Sequence, residues 1–271
     1  MMAEHGPIRL IASEQPRLAQ EFQSFPTTVW ASPSRCDGWS NARVVAHLAV
    51  HAQAYADTIT RALRGDSAPP PGPDGRRLTN DEFLAWAHAR EEALAGQAPG
   101  ELLRELSRSG DELTAVFERL GPTDLERPAW HAYGDLTVGT LVAYRVYELA
   151  FHAWDVRATL DPVAQIRPEL CPFLVGMVRQ LQSVLCAPER SLEGTCRFQV
   201  DGQSWITHIG DGKLEEISHA GAPDAVVRTD ANTVLLLATM RQTLSDCVDR
   251  LAMEGSRDLA VRMLGASRFR V

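Results

Sequence analysis

No run in this chain approaches the roughly 18–20 apolar residues that a membrane span needs. The stretch Met1 to Pro7 lacks a basic segment followed by an apolar one, so it does not read as a secretory signal, and a cytoplasmic protein is expected. Basic charge is also short. The net charge of −8 argues against nucleic acid as a partner, because neutralising phosphates requires a basic surface. Cysteine is scarce and irregularly placed. Cys36, Cys171, Cys186, Cys196 and Cys247 are odd in number and widely spaced, which fits neither a disulfide framework nor a zinc ribbon, and reduced, mostly buried thiols are expected. Internal repeats and low-complexity tails are missing as well.

What is present is enough for a full-sized core, since 45% of the 271 residues are hydrophobic and 23% charged. Residues 8–25 carry a helical apolar pattern interrupted by Pro16. Ser40 can cap a second helix, with Val44, Leu48, Ala52, Tyr55, Ile59 and Leu63 on one face and Gly65 as its stop. A loop at 67–77 with four prolines and two glycines follows, then helical stretches near 81–95, 101–120 and 137–160. After the Asp161-Pro162 break and one more helix near 168–185, the pattern changes. Short alternating segments around 196–200, 205–209, 214–217 and 225–227 are separated by Asp201-Gly202 and Asp211-Gly212, pairs that favour hairpin turns. Helical segments near 232–240 and 243–253 follow the strands. The expected fold is α+β overall: a four-helix bundle over 1–162, then a small antiparallel-sheet α+β domain over 163–271.

The segment LVAYRVYELAFHAWDV, residues 141–156, carries the chemistry. Twelve of its sixteen residues are aliphatic or aromatic, and the other four are Arg145, Glu148, His152 and Asp155. Spacings of three, four and three put all four on one narrow helical face. A solvated edge with weak charge pairs is one reading. A helix apolar nearly all round belongs inside a bundle, however, and buried charges there must be paired or hold a metal. His47, in the middle of the capped helix, can supply a third ligand opposite Glu148 and His152. Two histidines and a carboxylate with positions left open describe a catalytic rather than a structural metal site. Asp155 can orient a ligating imidazole. His51, one turn from His47, is a pocket-lining histidine or a fourth ligand.

At these residues a resemblance emerges. CDGWSNARVVAHL, from Cys36 to Leu48, resembles the Pro-Gly-Trp-Ser/Thr…His-Leu signature of the mycothiol-dependent maleylpyruvate isomerase family, within the DinB-like superfamily. RVYELAFHAWDV resembles that family's Arg-x-x-Glu-x-x-x-His-x-x-Asp helix, and the last third resembles its C-terminal domain, which is similar to sterol carrier proteins. Asp37 stands where the family usually has proline. The resemblance implies a DinB-type bundle holding zinc or a similar divalent ion on His47, Glu148 and His152, with Trp39 anchoring the helix start. It also implies mycothiol as the thiol co-substrate and a small-molecule substrate, in a monomer or homodimer. The implied reaction is thiolate addition to an activated double bond, rotation, and elimination to the trans isomer. None of the cysteines, Cys36 included, is expected to be catalytic.

Other chemistry fits the same scaffold. A mycothiol S-transferase would leave a thioether product, and a secondary-metabolism tailoring enzyme is a further alternative. A lipid-binding protein with a structural metal would close the coordination shell with His51. The same donor set also describes a non-haem iron triad. Arg228, Arg241 and Arg262 could bind a substrate carboxylate, although each reads more readily as an ordinary surface arginine.

Overall fold

The computed structural model describes residues 6–186, 188–218 and 221–268. Met1 to His5, part of the stretch weighed above as a secretory signal, lie outside the described residues. Contacts divide the chain into two units, Met1–Ile166 and Arg167–Val271, so the division follows Ile166 rather than Pro162.

The first unit is helical. Helix α1 (Gly6–Gln23) runs unbroken through Pro16. Both Pro16 and Ala12, whose carbonyl loses its usual donor, are exposed, so water can take the missing place and no break results. Ser40 accepts a hydrogen bond from Arg43 N at 3.2 Å and starts α2 (Asn41–Leu63), as its residue type predicts. Gly65 adopts φ +83° just past its end, the left-handed conformation that commonly terminates a helix. Thr79 and Glu82 form a capping box at the start of α3 (Asn80–Ala95). Helix α4 (Pro99–Phe117) follows with proline in its first turn. A short hairpin, β1 (Pro128–Ala129) with β2 (Leu136–Thr137), then delivers Thr137 as the cap of α5 (Val138–Arg157).

Four of these helices close a ring: α1 packs on α4 and α5, and α2 packs on the same two, while α3 lies against α2. Phe22, Leu48, Ile59, Leu106, Leu113, Leu141 and Phe151 fill the centre and are fully buried. Each such side chain stabilises the fold by about 1.5–3 kcal/mol relative to exposure. Helix α5 is buried on nearly all sides, as its composition requires.

The second unit begins with α6 (Cys171–Leu185). Its sheet comprises β3 (Gly194–Val200), β4 (Gln203–Gly210), β5 (Lys213–Ile217), β6 (Ala225–Thr229) and β7 (Ala252–Gly255) in the order β5-β4-β3-β6-β7. The two hairpin turns stand where the Asp-Gly pairs put them, with positive φ at Asp201, Gly202, Asp211 and Gly212. The expected antiparallel sheet is corrected to a mixed one. The chain leaves β5 and returns on the far side of β3, so β6 runs parallel to β3 while the other pairings are antiparallel. That placement makes β3 central and buries Cys196, Phe198 and Val200.

Helix α7 (Ala231–Ala238) follows β6. The helical reading of 243–253 holds for α8 (Leu244–Cys247) and the 3-10 turn Val248–Arg250 after it, but Ala252 to Gly255 form the edge strand β7, with Met253 opposite Val227. Sheet pairing there overrides local helical pattern. Helix α9 (Arg257–Ala266) packs on β3, β6 and β7. Among the described residues, no helix is long and apolar enough to cross a membrane.

Candidate metal centre

The site lies in the first unit, where α2, α3 and α5 meet behind the Cys36–Trp39 turn. Helix α2 carries His47 and His51 one turn apart, and α5 carries Glu148, His152 and Asp155. The two helices pack directly, which brings His47 Nε2 to 3.0 Å from Glu148 Oε2. His152 Nε2 lies 3.5 Å from the same oxygen. His47, Glu148 and His152 thus offer one ligand atom each, all within 4.8 Å of one another.

Each of these histidines has its other ring nitrogen against a buried carboxylate. His152 Nδ1 is 3.0 Å from Asp155 Oδ2, and Asp155 is 1% exposed. His47 Nδ1 is 2.8 Å from Oε1 of Glu91, a residue of α3 with no exposed surface. The pairings set the charges. Burial alone pulls the His47 pKa down, but Glu148 and Glu91 outweigh it and push it up to about 9. Burial alone raises Glu148, yet His47, His152 and His51 hold it well below the usual carboxylate range. His51 is kept well below the ordinary histidine value by burial and by the neighbouring His47 charge, so it is neutral. Burial raises the Tyr55 phenol well above its usual value, and Glu148 adds to the rise.

The turn before α2 covers this cluster. Trp39 N donates to Cys36 O at 3.0 Å, with Gly38 between them at φ +77°, a turn that asks for glycine at that place. The Trp39 ring lies 5.1 Å from the His47 ring and 6.3 Å from the His152 ring, nearly parallel to the latter. Trp39 therefore lies over both histidines, while Ser40 caps the helix. Cys36, given no role by the sequence, donates from Sγ to Asp155 Oδ2 at 3.1 Å and sits 3.7 Å from His152 Nδ1.

The remaining sequence candidates do not join the His47, Glu148 and His152 group. Arg145 is fully buried and donates to Leu48 O and Gln15 Oε1, both at 2.9 Å, tying α5 to α2 and α1. His51 faces Glu91, with its Nε2 3.6 Å from Oε1. Arg228 and Arg262 belong to the second unit, where they pair with Glu254 and Glu189. Arg241 lies in the turn after α7. A groove of about 580 Å³ along α2, α3 and α4, lined by Arg90, Arg104 and Arg108 among others, contains none of the clustered residues.

Glu91 is the residue that sequence reasoning missed. The signal was there, because Glu91 continues the buried stripe of Phe83, Ala87 and Leu94 on α3. A charge on an apolar stripe is the same anomaly that singled out Glu148.

The sequence profile described as the mycothiol maleylpyruvate isomerase N-terminal domain matches residues 11–157. No curated protein matches the chain by sequence. Among solved structures, the mycothiol-dependent maleylpyruvate isomerase aligns over 93% of this chain and 92% of its own, at 16% identity and a TM-score of 0.62. A point mutant of an enzyme of that name gives 14% identity and a TM-score of 0.63 over the same shares. At such identity these two structures share the fold across both units. The profile match covers more than half the chain and contains the turn, His47 and His152, and the carboxylates Glu91, Glu148 and Asp155, and on that ground the chain belongs to the mycothiol maleylpyruvate isomerase family.

Proposed function

We propose that the chain is a metal-dependent, mycothiol-dependent isomerase of the maleylpyruvate isomerase type, acting on a small molecule with an activated cis double bond. The observation that carries this reading is Glu148 Oε2, shared between the Nε2 atoms of His47 and His152 from two different helices. A tetrahedral ion bound at 2.0–2.1 Å sets its ligand atoms about 3.3 Å apart. The spacings of 3.0 and 3.5 Å lie on either side of that value and all three ligand atoms fall within 4.8 Å of one another, which supports zinc or a similar divalent ion there. The mixed imidazole and carboxylate donor set suits the same ions.

Such an ion, when bound, lowers the pKa of a thiol and stabilises negative charge that develops on a substrate oxygen. The protein's own groups prepare the place. Asp155 holds His152 by Nδ1, keeping Nε2 directed at Glu148. Trp39 shields the imidazole faces from water. Neutral His51 and the neutral Tyr55 phenol, with ring centroids 6.0 Å apart, border the cluster without adding charge. A thiolate adding to the double bond forms a C–S bond and an enolate; rotation about the new single bond and expulsion of the same thiolate give the trans isomer. The thiol is regenerated.

The test is metal analysis combined with a thiol-dependence assay on the wild type and His47→Ala. The wild type should hold one divalent ion per chain and return mycothiol unchanged, and His47→Ala should lose both metal and turnover. Full metal content in His47→Ala would remove His47 from the ligand set. A stable thioether product would make the protein an S-transferase instead.

A further inference from the structure

We infer that Glu91 is a positioning residue for the metal centre: its carboxylate holds His47 by Nδ1, so that Nε2 is the nitrogen presented to Glu148 and His152. This deepens the metal reading of the preceding subsection and rests on it.

An imidazole can offer a lone pair from either nitrogen, and the hydrogen bond made by one decides which is offered by the other. At His47 the two nitrogens face two carboxylates, Glu91 at 2.8 Å from Nδ1 and Glu148 at 3.0 Å from Nε2. The two carboxylates differ in their surroundings. Glu148 is also 3.5 Å from His152 Nε2, so its side of the ring is where three donor atoms converge. Glu91 has no exposed surface and projects from an otherwise apolar stripe of α3. Its further polar neighbours are more distant, His51 Nε2 at 3.6 Å and Arg43 Nη2 at 3.9 Å, and Oε2 accepts no hydrogen bond among the described residues. A buried carboxylate with one close partner is kept at a cost in solvation, and that partner is His47 Nδ1.

The other histidine shows the same pattern. Asp155, equally buried, takes Nδ1 of His152 at 3.0 Å and leaves Nε2 facing Glu148. Both imidazoles are therefore harnessed from behind by a carboxylate, one from the same helix and one from α3. Carboxylate–histidine pairs of this kind fix ring orientation and raise ligand basicity. The arrangement also accounts for His51: its Nε2 is turned toward Glu91, on the rear side of His47, so it lies outside the converging set. Helix α3, which stands outside the ring of four helices, thereby belongs to the site.

The experiment uses the full chain loaded with zinc. Affinity is measured by chelator competition in the wild type, Glu91→Gln and His47→Ala. Long-range ¹H–¹⁵N correlation spectra of the zinc-loaded protein report which His47 nitrogen carries the metal and which the proton. The inference expects Nε2 bound and Nδ1 protonated in the wild type. It expects Glu91→Gln to bind one zinc with affinity weakened about 10–100-fold, and His47→Ala to lose it. An unchanged affinity in Glu91→Gln, alongside loss in His47→Ala, overturns the role of Glu91 while leaving the metal reading intact. Zinc on Nδ1 also overturns it, and would place the ion in the His47, His51 and Glu91 group instead. Zinc retained in full by His47→Ala overturns both readings. Should Glu91→Gln fail to fold, the wild-type nitrogen assignment decides alone.

Discussion

In the metal-free protein, His47 carries a proton between two carboxylates, and that proton competes with a metal for Nε2. The value of about 9 at His47 fixes the size of the competition. At pH 7, two units below it, the protonated form outnumbers the neutral one about 100 to 1. Metal binding must expel that proton, so apparent affinity should rise about tenfold per pH unit from 7 to 9 and flatten above. Glu148, held well below the ordinary range, is ionised throughout and adds no slope there. The sign follows directly: raising the pKa of a ligand weakens metal binding at lower pH. The assay is zinc competition against a chelator of known pH dependence, paired with calorimetry in two buffers of different ionisation enthalpy. Near pH 7.5 it should find about one proton released from His47 per zinc bound. An affinity that stays flat between pH 7 and 9 would refute the reasoning, because His47 would then either lack its proton or not bind the metal.

Two further predictions concern the scaffold behind the site. Arg145→Ala removes a buried guanidinium, leaves Gln15 Oε1 without this donor and leaves Leu48 O with its bond inside α2 alone. It should destabilise the chain by about 1–3 kcal/mol in chemical denaturation, and an unchanged stability would show that the arginine is dispensable. Gly110→Ala would drive a methyl group into the Gln15 side chain, at the seam between α1 and α4. Overpacking of this kind costs about 1–3 kcal/mol, whereas Gly100→Ala on the same helix, whose nearest foreign atom is Arg104 Nη1 at 3.8 Å, should be close to neutral by the same measurement.

The placement of α3 also explains how a bundle can hold several ionisable groups in its interior. His47, Glu148, Glu91, His152 and Asp155 form one connected track of short contacts, with Cys36 donating at its end. Each negative group meets an imidazole or a thiol proton, which offsets the desolvation that each would otherwise suffer. Arg145 stands beside the track yet spends its hydrogen bonds on α1 and α2, and burial lowers its pKa to about 10.

Local chemistry in the sequence was sufficient to place most of the helices, the Ser40 cap and the two Asp-Gly turns, because periodicity and capping act over a few residues. It was also sufficient to pair Glu148 with His152 and Asp155, since the three share one helix and their spacing alone puts them on one face. His47 needed a resemblance to join them, for its partner lies 101 residues away in the chain. Tertiary structure alone decided the rest. Only packing of α3 on α2 could put Glu91 behind His47, only the turn at Gly38 could lay Trp39 and Cys36 over the histidines, and only the return of β6 beside β3 could make the sheet mixed. These outcomes depend on how faces meet across long loops, and hydrophobic burial, which carries no direction of its own, leaves that choice to the whole fold.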